Sequence, residues 1–280
     1  MKKLFGVIGD PISHSLSPVM HNRELNELGI DAYYHPFHIK GEDLKTAVEG
    51  MKVMGMNGFN ITIPHKTAII PLLDKVDPLA EAIGAVNTVV RENGLFVGYN
   101  TDGEGFVASL KEDWKDDLSG EKTLIVGAGG AAKAIYYTLL SKGVHQVDIA
   151  NRTVQTAKNL IENQPYQADS QALSLKEAEA SIGKYSLIIQ TTSIGMEPDI
   201  YSSPISLQGL TPGAFVSDII YNPGETQFLK EAARYGATTQ NGLAMLVYQG
   251  ALAFEKWTNT KPNVTRMKET IQHCLGGTSC

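Results

Sequence analysis

Disulfides, membrane spans and a basic face are what this sequence lacks, and each shortage removes a class of protein. Only two cysteines occur in 280 residues, Cys274 and Cys280, where a bridge would close a tiny loop and staple no core. The expected compartment is therefore the reducing cytoplasm. No apolar run approaches the roughly 18–20 residues of a membrane-spanning helix, so no membrane partner is expected. Lys2 and Lys3 precede an apolar stretch that Asp10 and Pro11 cut short without a small-residue cleavage signal. It reads as a buried strand rather than a secretory leader. Lys and Arg number 24 against 30 Asp and Glu, a formal net charge of −6 with no long basic run. Nucleic acid is thus not an expected partner, because a phosphate lattice attracts a basic face. A small anion stays possible, since a local pocket of donors can overrule net charge.

What is present is the composition of a globular chain, 42% hydrophobic with 27 Gly and 12 Pro. At about 100–200 residues per domain, two domains are expected. From residue 3 to about 100, β-like runs alternate with helical stretches: strand Leu4–Gly9, helix Pro18–Leu28, strand Ala32–Ile39, helix Glu42–Met54, strand Gly58–Ile63. This alternation marks an α/β layer architecture. Asn93-Gly94, between two β-rich arms in 87–98, predicts a hairpin with a tight turn. The charged patch 111–122 is a candidate boundary loop. Behind it come strand Thr123–Val126, helix Gly130–Lys142, strand Gln146–Ala150, helix Thr153–Asn163, strands Ser186–Gln190 and Phe215–Ile220, and helix Glu225–Tyr235. Strands interleaved with helices at this spacing imply parallel βαβ units.

The apolar strand 123–126 runs into Gly127-Ala128-Gly129-Gly130-Ala131-Ala132, which opens a helix. That is G-x-G-x-x-A in the strand-to-helix context of a dinucleotide site: Gly127 for the turn, Gly129 for close approach to a pyrophosphate, Ala132 for helix–strand packing. Without a ligand, the same residues would be a Gly-rich turn before a helix. The second strand discriminates between cofactors. An acid at its end would accept from the 2′-hydroxyl of NAD, but here Asn151-Arg152-Thr153 follows Val147-Asp148-Ile149-Ala150. A carboxylate repels a 2′-phosphate and Arg can bind it bidentately, so NADP(H) is expected. Asp148 points elsewhere by strand alternation. The plainer reading of Arg152 is a solvated surface residue.

Four polar clusters lie outside this unit. In His14-Ser15-Leu16-Ser17-Pro18 the two serines, two apart, face one side if the segment is extended; alternatively Ser17 only caps the helix that Pro18 opens. In residues 59–66, Phe59, Ile61 and Ile63 alternate with Asn60 and Thr62, a half-buried strand whose polar face ends near Lys66. An edge strand with a solvent face explains the alternation but not why the polar members are short and uncharged. The third cluster is 84–88 with Asn87, and the fourth is 98–103 with Asp102, which sits where a helix N-cap would. A Lys and an Asp in neutral polar surroundings can form an acid–base pair, though spacing alone does not show that Lys66 and Asp102 meet.

Taken in order with Tyr221-Asn222-Pro223 and Met245-Leu246-Val247-Tyr248-Gln249, these motifs resemble the shikimate dehydrogenase family from residue 5 to about 257. The resemblance implies a substrate-binding domain of mostly parallel α/β sheet over 1–104, completed by 240–280. It also implies a Rossmann-like, doubly wound NADP domain over 105–239. The implied reaction is reversible NADPH-dependent reduction of 3-dehydroshikimate to shikimate, on the route to chorismate and aromatic amino acids. By matching positions, Lys66 and Asp102 are the implied catalytic pair, and Ser15, Ser17, Asn60, Thr62, Asn87, Tyr221 and Gln249 join them in holding substrate. Gly127, Ala128, Gly129, Gly130, Ala131, Asn151, Arg152, Thr153, Ile219, Gly242 and Met245 are the implied cofactor contacts. Asn241-Gly242-Leu243-Ala244 departs from the family's Asp-Gly-x-Gly, and Gln155 stands where some relatives carry a second basic residue.

Hydride transfer requires a proton donor and a charge to stabilise the developing alkoxide. Lys66 as ammonium supplies both, and a carboxylate at Asp102 favours that charged form, which suits Lys66 to donate in reduction and leaves it a poor base in oxidation. Two rivals stand beside this reading: a quinate or dual-specificity dehydrogenase on the same fold, and a non-catalytic NADP-binding sensor. No metal is expected, since the seven histidines are scattered and His35 and His38, three apart in a strand, face opposite sides. The chain is expected to work as a monomer or homodimer.

Overall fold

The computed structural model describes residues 2–114 and 118–277. It divides into two compact units, Met1–Thr101 with Val247–Cys280, and Asp102–Leu246.

The first unit opens with β1 (Lys3–Gly9), α1 (Ser17–Glu27), β2 (Ala32–His38), α2 (Leu44–Val53) and β3 (Gly58–Ile61). It continues through β4 (Lys75–Val76), α3 (Pro78–Ile83), β5 (Thr88–Glu92) and β6 (Leu95–Tyr99), giving a sheet of order β2-β1-β3-β5-β6-β4. Parallel pairing joins β2, β1 and β3, while β5 runs antiparallel to both β3 and β6. The β5–β6 hairpin turns on Asn93 (φ 51°) and Gly94 (φ 86°), two left-handed residues in succession, as the Asn-Gly pair requires.

Three details differ from the sequence expectation. Strand β3 stops at Ile61, and Ile63 is 73% exposed: the alternation of residues 59–63 runs past the sheet, because the chain turns away at Thr62. Residue 16 caps α1, and Ser17 is its first residue, with no side-chain capping bond. The expected helix 42–54 is a 3₁₀ turn (Gly41–Asp43) followed by α2.

The second unit holds α4 (Asp102–Asp113), β7 (Thr123–Val126), α5 (Gly130–Ser141), β8 (Val147–Ala150), α6 (Val154–Glu162), β9 (Ala172–Leu173) and α7 (Leu175–Ala180). After these come β10 (Leu187–Gln190), β11 (Phe215–Asp218), α8 (Gln227–Arg234) and β12 (Thr238–Gln240). The sheet order is β12-β11-β10-β7-β8-β9 with every pairing parallel, a doubly wound sheet. Its four central strands are buried along their whole length, in keeping with the apolar runs Leu124–Val126 of β7 and Leu187–Ile189 of β10, while Asp148 of β8 and Asp218 of β11 are buried carboxylates that accept hydrogen bonds. Of the charged patch 111–122, residues 111–113 end α4, and residues 115–117 lie outside the described residues.

The chain ends in α9 (Leu243–Thr258) and α10 (Val264–Leu275). Trp257 of α9 donates from Nε1 to Val89 O at 2.9 Å, and a Cβ on Gly58 would stand 2.4 Å from its indole. On α10, Arg266 forms a two-pronged pair with the fully buried Glu24 of α1, both contacts at 2.8 Å. A carboxylate is tolerated there because the guanidinium and the Asn263 N–H (2.7 Å) satisfy it. Cys280 lies outside the described residues.

Candidate active site

In the first unit the polar residues gather at the C-terminal ends of the adjacent strands β1 and β3. Past β1, Ser15 closes a turn onto Ile12 O (3.1 Å), and its Oγ accepts from the Ser17 N–H (3.4 Å). A turn with a helical residue at Leu16 brings the two serines together, rather than the extended alternation expected from sequence. The Ser17 side chain lies beside the hydroxyl of Tyr34 of β2, and that hydroxyl donates to Asn60 Oδ1 at 2.7 Å. Asn60 then donates to Asn87 O (3.2 Å) and Thr88 Oγ1 (3.1 Å), and Thr88 to Asn87 Oδ1 (2.9 Å). Asn87 in turn donates to Thr101 Oγ1 (3.0 Å) and accepts from the Thr101 N–H (2.8 Å). Two expected substrate residues, Asn60 and Asn87, thus lie on one hydrogen-bonded chain that runs from Tyr34 to Thr101, the residue before Asp102, and Ser15 and Ser17 stand at its Tyr34 end. Such a satisfied network holds its members in single orientations.

Thr62 is fastened by its N–H to Ile8 O (3.0 Å), against Gly9, where a Cβ would come within 2.5 Å of its methyl. Lys66 follows in the same turn and is partly exposed. Its carbonyl accepts from the Val86 N–H (2.8 Å), and its buried neighbour His65 is tied through Nε2 to Ile39 O (2.6 Å). The backbone is therefore held independently of the ammonium.

Asp102 belongs to the second unit, as the first residue of α4 rather than the residue before it. Gly103 beside it lets α4 press on α5: a Cβ there would stand 2.1 Å from Thr138 Oγ1 and 2.4 Å from Ala134 O. The glycine turn sits at the end of β7, where the order of the parallel sheet reverses between β7 and β10, the position at which such sheets bind ligands. Gly127 has φ 111°, and a Cβ would meet Thr191 Oγ1 at 2.5 Å, so no other residue fits without strain. At Gly129 and Gly130 a Cβ would find nothing within 4 Å, and α5 carries no side-chain cap at its N-terminus. Open space in front of uncapped N–H groups fits a pyrophosphate. Ala128 and Ala131 flank this opening, while Ala132 is buried against the sheet.

At the end of β8, Asn151 donates to Thr153 O (3.0 Å), shaping the turn that presents Arg152. Arg152 is exposed and makes no ion pair with the described residues, so its guanidinium is available to a 2′-phosphate. Asp148 is turned inward, accepting from Gln171 N (2.9 Å) and the Tyr185 hydroxyl (2.8 Å). Gln155 is occupied with Asn159 (2.8 Å).

Ile219 and Gly242 are brought together. The Gly242 N–H donates to Ile220 O (2.9 Å), and a Cβ on Gly242 would stand 1.9 Å from Ile219 O. Asn241 ties the same loop to Gly224 O (2.7 Å), and Tyr221 lies within it, partly exposed. Met245 and Gln249 fall on α9. Ala244, the departure from Asp-Gly-x-Gly, is buried.

Sequence reasoning passed over Tyr34, His65, Thr101 and Asp218. The first three read as core or loop residues. The Asp218 carboxyl, completely buried, accepts from the Ile220 N–H (2.9 Å) and the Thr226 hydroxyl (2.7 Å) and so organises the loop carrying Ile219 and Tyr221. Burial pushes its pKa up to about 6, against these two hydrogen bonds. The folded state keeps the proton at a pH where the unfolded chain has released it. Asp218 therefore adds stability as pH falls from about 6 toward 4, and subtracts it above. The melting temperature of Asp218→Asn, relative to the parent, is expected to rise between pH ~4 and ~6 and to level off above. A pH-independent difference would contradict the assignment.

Among the described residues no group of three or more His, Cys, Asp or Glu side chains is placed to hold a metal ion, and no helix is long and apolar enough to cross a membrane.

The doubly wound sheet, its glycine turn and the open helix N-terminus mark a dinucleotide-binding unit of the class that nicotinamide-nucleotide oxidoreductases carry. Family descriptions sharpen this class: residues 7–89 match the shikimate dehydrogenase substrate binding domain, 109–199 shikimate/quinate 5-dehydrogenase, and 242–272 the shikimate 5′-dehydrogenase C-terminal domain. A shikimate dehydrogenase (NADP(+)) of Bacillus cytotoxicus is 54% identical over 277 residues, covering 99% of this chain and all of the relative. Among solved structures, shikimate 5-dehydrogenase from Listeria monocytogenes in complex with shikimate and NAD aligns with a TM-score of 0.92 at 37% identity, over 96% of each chain. The Thermus thermophilus enzyme in complex with NADP(H) and shikimate aligns at 0.87 and 35%, over 97% of this chain and 99% of that one. The chain belongs to the shikimate dehydrogenase family, NADP-dependent oxidoreductases acting on a CH–OH group.

Proposed function

We propose that the residues gathered at the ends of β1 and β3, together with Asp102, Tyr221 and Gln249, hold 3-dehydroshikimate, and that Lys66 and Asp102 manage its proton. The reaction is the reversible NADPH-dependent reduction of 3-dehydroshikimate to shikimate. When bound, NADPH supplies the hydride. Lys66 as ammonium donates a proton to the carbonyl oxygen as it becomes an alkoxide, and stabilises the charge until transfer is complete. Asp102 orients the substrate hydroxyl for that transfer. Ser15, Ser17, Asn60, Thr62 and Asn87 supply neutral hydrogen bonds to hydroxyls and carboxylate. The observation that carries this reading is the chain of satisfied neutral groups from Tyr34 through Asn60 and Asn87 to Thr101, ending one residue before Asp102.

For the cofactor, Gly127–Ala131 cradle the pyrophosphate, Asn151, Arg152 and Thr153 meet the 2′-phosphate, and Ile219, Gly242 and Met245 lie toward the nicotinamide. The enzyme works in the cytoplasm, as the scarcity of cysteine suggests, and as a monomer or homodimer. Following NADPH absorbance with shikimate or quinate, and NADP or NAD, tests substrate and cofactor together. The expected kcat/KM is highest for shikimate with NADP. Arg152→Ala is expected to weaken NADPH by about ten- to a hundredfold, the loss of a charge-assisted pair of roughly 1.5–3 kcal/mol, with the fold intact. Equal use of NADH by the unmutated protein would refute the assignment of Arg152, and faster turnover of quinate that of the substrate.

A further inference from the structure

Tyr34 has no exposed surface, yet it lies between two of the proposed substrate-binding segments. Its ring stacks on His21 (centroids 4.5 Å apart), and both its backbone groups are clamped by the Asn22 side chain, each bond 2.8 Å long. The position of its hydroxyl is thus fixed from α1 and β2. That hydroxyl donates to Asn60 Oδ1 at 2.7 Å, with the Ser17 side chain beside it.

The proton assignments follow from the partners. Asn87 O can only accept, so the amide nitrogen of Asn60 faces it, at 3.2 Å, and its other hydrogen goes to Thr88 Oγ1, at 3.1 Å. The Asn60 oxygen therefore faces Tyr34 and takes its proton. Both amide hydrogens of Asn60 are committed, and what remains is one lone pair on Oδ1. A ligand can meet it only with a hydroxyl hydrogen.

From this geometry we infer that Tyr34 is a positioning residue for substrate: its hydroxyl locks the Asn60 carboxamide as an acceptor for a substrate hydroxyl, beside Ser17. The inference rests on the proposed reading of Asn60 and Ser17 as substrate contacts. Removing the hydroxyl leaves the ring stacking in place but frees the Asn60 oxygen to turn.

The test is Tyr34→Phe in the full-length enzyme, assayed with shikimate and NADP. Loss of one neutral hydrogen bond of about 0.5–1.5 kcal/mol corresponds to a KM for shikimate raised roughly two- to tenfold. The KM for NADP is expected to stay unchanged, and kcat to stay within about twofold. In an Asn60→Ala background, or in Ser17→Ala should that variant fail to fold, the same change is expected to have less effect, because the groups act as one unit. A merely structural role would lower the melting temperature and kcat without separating the two KM values, and would add to the second substitution. That result, or an unchanged KM for shikimate, overturns the role of Tyr34. If Asn60→Ala and Ser17→Ala both fold and both leave KM unchanged, the substrate-site reading beneath it fails instead.

Discussion

Lys66→Ala is expected to lower kcat by roughly 10²–10⁴ while the KM for shikimate changes little. The size follows from losing both functions proposed for the ammonium, proton donation and charge stabilisation, at the one atom where charge develops. The fold should survive the change. The carbonyl of residue 66 is held by Val86, and the preceding turn by the His65–Ile39 bond, so neither needs the side chain. Steady-state kinetics beside a thermal melt separates the outcomes. A fall in kcat of less than about tenfold with an unchanged melt would remove Lys66 from the chemistry.

The second large effect is expected from a single methyl group. Gly242→Ala places a Cβ 1.9 Å from Ile219 O and 2.3 Å from its carbonyl carbon, and both are backbone atoms with no rotamer to change. The loop cannot simply step back, because Gly242 N–H holds Ile220 O (2.9 Å) and Asn241 holds Gly224 O (2.7 Å). Overpacking costs about 1–3 kcal/mol where side chains can yield, and a clash with fixed backbone belongs at or above the upper end. The melting temperature should fall by roughly 6 °C or more, taking ~2–4 °C per kcal/mol. NADPH affinity should drop more than about tenfold if displaced Ile219 no longer meets the cofactor. A variant that melts and binds NADPH like the parent would show that the loop has room, and that Gly242 has no special role.

How much was legible in the sequence depended on whether a segment's structure is set locally. Strand 123–126 is read to the residue, because a strand covered on both faces must be an apolar run bounded by polar ends, and the glycines that follow announce their own turn. Asn93-Gly94 is equally self-contained. By contrast β4, β9 and β12 are two or three residues long and exist only through the strands they pair with, so no local pattern marks them. Alternation at 59–63 misled beyond Ile61 because periodicity persists in sequence after the chain has left the sheet. In the site, Lys66, Asp102, Asn60 and the glycine turn stood out through their motifs. Tyr34 did not, since a tyrosine on the inward face of a strand reads as core, and only its hydroxyl partners distinguish the two roles. The contact between Ile219 and Gly242 joins residues 23 apart and depends on tertiary packing.

Arg152 and Gly127 stand at opposite ends of one proposed binding surface but differ in what the fold demands of them. Gly127 is required by its φ and by Thr191, whether or not a nucleotide is present. Arg152 is exposed and makes no ion pair with the described residues, so the fold asks nothing of it. With Arg152 in the proposed role, discrimination between the two nicotinamide dinucleotides is open to evolutionary drift and to engineering, since exchanges at residue 152 escape the stability threshold that constrains the glycine turn.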